Sequence, residues 1–309
     1  MLRFSLPEDI KDFEKQCKCL REQVEGFFRS DALRELFSVL ETDEETIEAR
    51  YDVRKRPDGR VVEIPELERM ESLEPVRKKL YDVFRELGFI DINKPALSDW
   101  NRVVILGGVQ NSIYTRVKGA IRFINPSVIS VDGIACYRPI SPLEKKRSPF
   151  KAVSETEFGV MNEVFHAELP VTFSGYTDRF TGDRNLNSVS NVRILHAADE
   201  PREYRIYAAP SSEPAIRRAD TGDSVWFYLD NDGVNPDDHL LFITRNHNCN
   251  RQFLHILYYM IKRNHITSFD VIGCLSDEEL EKQDKYEIII YIQEVIALLS
   301  WARTMERSL

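Results

Sequence analysis

Val103-Val104-Ile105-Leu106-Gly107-Gly108 is a short, wholly apolar run that stops at two glycines. A strand buried on both faces of a parallel sheet has this composition, because neither face alternates with solvent. Outward from it, strand and helix patterns alternate. Ser112–Ile124 carries Ile113, Val117, Ile121 and Ile124 as a helical stripe. Val128–Val131 reads as the next strand, ending at Asp132-Gly133. Ser154–Phe165 predicts a helix with Ser154 as N-cap and Glu157 three residues on, a capping-box pattern. Val171–Phe173, Arg205–Ala208, Leu240–Thr244 and Phe269–Gly273 are further strand candidates. Thr221–Leu229, Asn250–Lys262 and Glu287–Met305 read as helices. Such alternation predicts an α/β fold, a Rossmann-like, mostly parallel sheet with flanking helices over residues 99–309. Residues 174–203, rich in Ser, Asn, Asp and Gly, read as a long inserted loop and candidate lid.

Residues 1–98 form a mainly helical N-terminal extension. Ile10, Phe13, Cys17, Leu20, Val24 and Phe27 recur at intervals of three and four. Ser30-Asp31 offers a break and a new N-cap before Ala32–Leu40. Pro57-Asp58-Gly59 suggests a short hairpin over 51–63, and Pro75–Leu87 is again amphipathic, stopping at Gly88.

The chain has 309 residues, 42% of them hydrophobic, enough to bury a sizeable core. Its net charge of −9 argues against binding a nucleic-acid backbone. No apolar run is read as long enough to cross a bilayer. The opening Met1-Leu2-Arg3 turns acidic at once and lacks an apolar signal core. Cys17, Cys19, Cys136, Cys249 and Cys274 lack zinc spacing, as do the six histidines. The expectation is a cytoplasmic protein with reduced thiols, no membrane association and no metal.

Ligands of open parallel sheets bind outside the carboxyl ends of the strands, and polar residues gather there in this sequence. Gly107 and Gly108 can present backbone N–H groups to an anion, although G-x-G-x-x-G and P-loop patterns are both absent. Arg116 follows on the next helix, and Asp132 and Arg138 follow the second strand. Arg218, Asp220 and Thr221 stand at a helix start, where cations and the helix dipole reinforce each other. Thr244, Asn246, His247, Asn248 and Arg251 form a dense polar run between a buried strand and a helix. Glu157 and His247 are the acid/base candidates.

Residues 100–305 resemble the Rossmann-like family typified by YdcF, SanA and ElyC. The resemblance rests on Leu106-Gly107-Gly108, Arg116, Thr156-Glu157, Asp220-Thr221 and the Thr244 to Arg251 spacing. The chain departs from it at Asp132, Asp220 and the offset His247. The resemblance implies a small-molecule site, with S-adenosylmethionine or a nucleotide as candidate cofactor. The leading expectation is therefore a cytoplasmic binder of a nucleotide-like or other anionic small molecule, with a transferase reaction as its candidate activity. The competing expectations are a hydrolase acting on phosphorylated or glycan substrates, and a non-catalytic module whose N-terminal helices dock a protein partner.

Overall fold

The apolar run becomes the central strand. In the computed structural model, β1 (Arg102–Leu106) is buried throughout. It pairs in parallel with β2 (Ser130–Cys136) on one side and β6 (His239–Thr244) on the other. β5 (Glu203–Ala209) adds in parallel beyond β2, and β7 (Ser268–Gly273) beyond β6. β3 (Phe173–Thr181) and β4 (Ser190–Ala197) form an antiparallel hairpin on β5. The order is β3-β4-β5-β2-β1-β6-β7. Counted among themselves, the five parallel strands run 3-2-1-4-5, the Rossmann arrangement, which reverses direction between β1 and β6. The structure describes residues 1–6, 13–52, 70–182, 187–198, 200–231, 234–263, 267–276, 279 and 288–309.

Two expectations are corrected here. Asp132-Gly133 does not end β2, which runs on to Cys136. Gly133 serves packing instead: a Cβ there would lie 2.9 Å from Met161 and 3.0 Å from Phe165, both on α7 (Glu157–Glu168). The neighbouring Asp132 accepts a hydrogen bond from Tyr228 of α8 (Thr221–Asn231). Successive strand residues point to opposite faces, so α7 and α8 cover opposite sides of the sheet. α5 (Gln110–Ala120) packs beside α7, over β1 and β6. The second correction concerns residues 174–203, which are largely the β3–β4 hairpin rather than a loop. β3 is exposed on both faces, so no apolar alternation announces it.

The described chain divides into two compact units. The α/β unit holds Lys94–Arg245 and His255–Leu275; the helical unit holds Met1–Asn93, Asn246–Leu254 and Ser276–Leu309. The expected split near residue 98 therefore misses the return of later segments to the N-terminal helices. In the helical unit, α1 (Phe13–Phe28) buries Leu20, Val24 and Phe27. Ser30 caps α2 (Asp31–Val39) by accepting from the Leu33 N–H, as its position predicts. α3 (Ile47–Tyr51), α4 (Arg77–Glu86) and α10 (Ile288–Ser308) complete this packing, with Phe84 stacked on Tyr291 at 5.0 Å. The hairpin expected over 51–63 falls outside the described residues beyond Asp52. α10 has the length and hydropathy of a membrane span, contrary to the sequence reading, and most of its apolar window is buried within the protein.

The polar run after β6 is spent largely on this unit's own backbone. Asn246 donates to the Ile90 carbonyl at 2.9 Å. Asn250, at the start of α9 (Cys249–Lys262), accepts from the Phe4 N–H at 3.1 Å and donates to Leu87 O at 3.1 Å and Leu2 O at 3.3 Å. Arg251 is paired with Glu294 at 2.6 Å. These groups fasten two non-repetitive segments that have no ladder of their own. Asn250→Ala strands an N–H and two carbonyls, so urea denaturation is expected to show a loss of about 2–4 kcal/mol. A loss below about 1 kcal/mol would mean that water takes over those bonds.

Candidate functional site

The carboxyl ends of β1 and β2 are tied together by one guanidinium. Arg138 donates from Nε to Glu157 at 2.9 Å. Nη1 reaches Glu144 at 2.7 Å and Pro139 O at 3.2 Å. Nη2 reaches Glu144 at 3.1 Å and Gly108 O at 2.9 Å. A guanidinium has five N–H groups, and this set employs all of them. All three side chains are buried. Burial alone would lower the Arg138 pKa, but the Glu157 charge and the Glu144 hydrogen bonds more than reverse it. Burial likewise acts to raise the Glu144 pKa, and Arg138 holds it below the ordinary carboxylate value.

Local sequence explains how each partner arrives. Ser141-Pro142-Leu143-Glu144 starts α6 (Pro142–Arg147) with proline at the first helical position and a complete capping box. Glu144 also accepts from the Gln110 N–H at 3.3 Å, at the first turn of α5. Thr156, not the expected Ser154, caps α7 by accepting from the Gly159 N–H. Glu157 forms no capping box; its carboxylate turns to Arg138 and fills the space beside Gly107. A Cβ on Gly107 would fall 2.1 Å from Glu157 Oε1 and 2.7 Å from the Ile134 carbonyl. Arg116 donates to the Leu106 carbonyl at 2.8 Å and to that of Gly107, holding the turn from inside.

The expected residues thus separate into groups. Gly107, Gly108, Arg116, Arg138 and Glu157 do come together, but as a clamp. Arg138 and Glu157 are engaged with each other, so the first is no open anion receptor and the second no open acid/base group. Gly107 N–H is spent on the Ile134 carbonyl at 2.7 Å. The N–H groups of Gly108 and Val109 make no hydrogen bond to a described residue. Thr244 ends β6, one residue past the Ile105–Ile243 pair, and is fully buried. Its Oγ has no hydrogen-bond partner among the described residues, nor has Oε1 of the fully buried Gln110.

The remaining expectations are placed elsewhere. Asp220 and Asp223 bond reciprocally to each other's N–H groups at 3.0 Å, and Arg217 pairs with Asp223 at 2.6 Å. The start of α8 is therefore served by its own carboxylates; Arg218 is exposed and Thr221 half-buried. Asn246, His247, Asn248 and Arg251 belong to the helical unit. Asn246 and Arg251 are committed as described above, and His247 lies edge-on to Tyr291 with centroids 5.9 Å apart. Cys136 is no nucleophile, since burial and the Glu157 charge push its thiol pKa far up. Glu144 and Gln110 went unread in the sequence; the Ser141-x-x-Glu144 box was a legible signal for the former.

Asp132 lies mid-strand, not at a strand end. It is fully buried, accepting from Ser130 Oγ at 2.7 Å and Tyr228 Oη at 3.2 Å on a single oxygen. Burial pushes its pKa up to about 6, against the pull of the Ser130 hydroxyl and of Arg205 and Arg102. No group of three or more His, Cys, Asp or Glu suited to a metal occurs among the described residues. No protein-family model, curated protein or solved structure matches this chain.

Two outcomes are expected. Gly107→Ala forces apart Glu157 and β2, and should lower stability by about 2–3 kcal/mol in chemical denaturation; a neutral variant would show that the turn can relax. For Asp132, the folded pKa is raised, so the native state holds the proton more tightly than the unfolded chain. Its stabilisation is complete below about pH 4 and is lost as pH rises through about 6. Asp132→Asn removes that loss. The stability difference, variant minus parent, should grow by roughly 3 kcal/mol at most between pH 4 and 7. A constant difference across that range would exclude Asp132 as the titrating group.

Proposed function

We propose that the α/β unit binds a nucleotide-like small molecule at the reversal point between β1 and β6. The observation that carries the reading is the buried, unpartnered Oγ of Thr244 there; Gln110 Oε1, likewise unpartnered, belongs to the first turn of α5, with its amide nitrogen on the Phe150 carbonyl. An orphaned buried polar group costs about 1–3 kcal/mol, which a ligand can recover. The Gly108 and Val109 N–H groups, at the start of α5, supply donors for an anionic group.

The charge pattern narrows the ligand. Arg116 and Arg138 stand against Glu144 and Glu157, and Glu144 already occupies one of the α5 donors. This neutral cluster suits a ligand with one negative group better than a polyphosphate. S-adenosylmethionine, with a single carboxylate, fits that description, and a transferase reaction would follow from it. A cytoplasmic setting accords with five unbridged cysteines.

Thr244→Val tests the site with nearly unchanged shape. Without ligand the variant should melt at or slightly above the parent temperature, since an unpaired buried hydroxyl is removed. Affinity for S-adenosylmethionine should fall roughly 3- to 10-fold, one hydrogen bond's worth, in calorimetric titration. Equal affinity in both proteins would remove Thr244 from the site. Absence of any thermal shift in the parent protein with S-adenosylmethionine, nucleoside phosphates and sugar phosphates at millimolar concentration would defeat the reading itself.

A further inference from the structure

The sheet has one bare edge. Among the described residues β3 pairs with β4 alone, so every second residue of Phe173–Thr181 turns its N–H and C=O away from the sheet. The opposite edge differs. β7 is buried from Phe269 to Gly273, and its Asp270 accepts from the Ala96 N–H at 2.6 Å. β3 is nine residues long and exposed from Tyr176 onwards. Exposed edges are commonly blunted by lysine, proline, bulges or short length. β3 has no lysine and no proline, and its one irregularity, between Phe173 and Gly175, lies at its start.

The side chains of β3 specify what fits there. Tyr176, Asp178 and Phe180 stand opposite Leu195, Arg193 and Asn191, and so share one face. Tyr176 and Phe180 are 55% and 58% exposed. Asp178 between them is bonded twice to Arg193, at 2.8 and 2.7 Å. On the other face, Thr177 Oγ meets His196 Nε2 at 2.8 Å. The strand is thus braced from the β4 side, and its formal charges, Asp178 and Arg179, cancel.

A symmetric antiparallel pair of such strands sets one residue against its own copy. Centring on Asp178 or on Arg179 opposes like charges, which is destabilising. Centring on Thr177, the midpoint of β3, avoids both. All nine residues then face another: Tyr176 opposes Asp178 of the second copy, Gly175 opposes Arg179, Ser174 opposes Phe180 and Phe173 opposes Thr181. Phe180 of each copy also lies diagonal to Tyr176 of the other, within reach of aromatic side chains. Such an overlap supplies about eight to ten backbone hydrogen bonds, near the number in a typical interface.

We infer that two copies of this chain join through β3, antiparallel and centred on Thr177, into one continuous sheet. The bare backbone gives the hydrogen bonds, and the exposed rings of Tyr176 and Phe180 give the apolar burial. Because β7 is buried, the assembly closes at two copies. An extended peptide from another protein would use the same backbone groups without the self-matching register.

Sedimentation equilibrium of the full chain, from about 1 to 200 μM, should show monomer and dimer in exchange. Thr177→Lys and Thr177→Glu each oppose like charges at the centre of the pair. Each alone should dimerise at least roughly tenfold more weakly, and an equimolar mixture of the two should recover the dimer. Phe180→Ser leaves the Thr177–His196 contact in place and should weaken the dimer roughly threefold or more, an independent reading of the same surface. Val153→Lys adds the same charge at a residue 85% exposed outside the hairpin, and should dimerise as the parent does. Every variant should keep the parent circular-dichroism spectrum. A parent that stays monomeric or grows beyond a dimer would overturn the pairing. So would Thr177 and Phe180 variants that dimerise like the parent, or folded Lys and Glu variants whose mixture fails to recover the dimer.

Discussion

Arg138 organises the carboxyl edge of the sheet. Its five donors gather the turn after β1, the segment after β2, the start of α6 and the start of α7 around one buried charge. Such a charge is tolerable only while every donor is matched, and removing one partner of a buried pair typically costs about 3–5 kcal/mol. The other local features follow from keeping the set complete. Gly107 must lack a Cβ because Glu157 occupies that space. Glu144 must be delivered by a capped, proline-started helix because its carboxylate serves Arg138 and the first turn of α5 together. The double glycine is a requirement of packing before it is a feature of binding.

A clamp that satisfies itself leaves other groups nearby unmatched. Arg116 spends itself on the Leu106 and Gly107 carbonyls as Arg138 does on Glu144 and Glu157. Net positive charge does not build up, and the groups left unmatched are neutral donors and acceptors. Two backbone N–H groups, one hydroxyl and one amide oxygen meet that description. The two N–H groups are placed by the start of α5, and the two side-chain groups are held by their burial.

The parallel core was legible because burial on two faces writes continuous apolar runs, as in Val103–Leu106, and Ser30 declared its capping role through side-chain chemistry. Other parts hid for physical reasons. Asp132-Gly133 has turn composition, yet its glycine makes room for Met161 and Phe165 and its aspartate is buried. β3 has no inward face, so periodicity had nothing to report. The Thr244–Arg251 run looked like a ligand site because intramolecular and ligand-directed polar groups share one composition. Asn246 and Asn250 find their partners at Ile90, Leu87, Leu2 and Phe4, far away in sequence. Only the fold reveals that. Of the residues gathered in that reading, most of the charged ones serve structural contacts instead.

Unpartnered buried atoms differ in the remedies open to them. Asp132 can quieten its second oxygen by taking a proton, which is what its raised pKa expresses. Thr267 and Gln252 also carry orphaned atoms. Thr244 and Gln110 differ by their surroundings. Thr244 closes β6, and Gln110 opens α5 next to the Gly108 and Val109 N–H groups. Neutral amide and hydroxyl groups cannot relieve themselves by titration near neutral pH. Thr244 Oγ and Gln110 Oε1 therefore keep that cost in the folded protein, at an edge where Arg138 leaves no donor of its own unmatched.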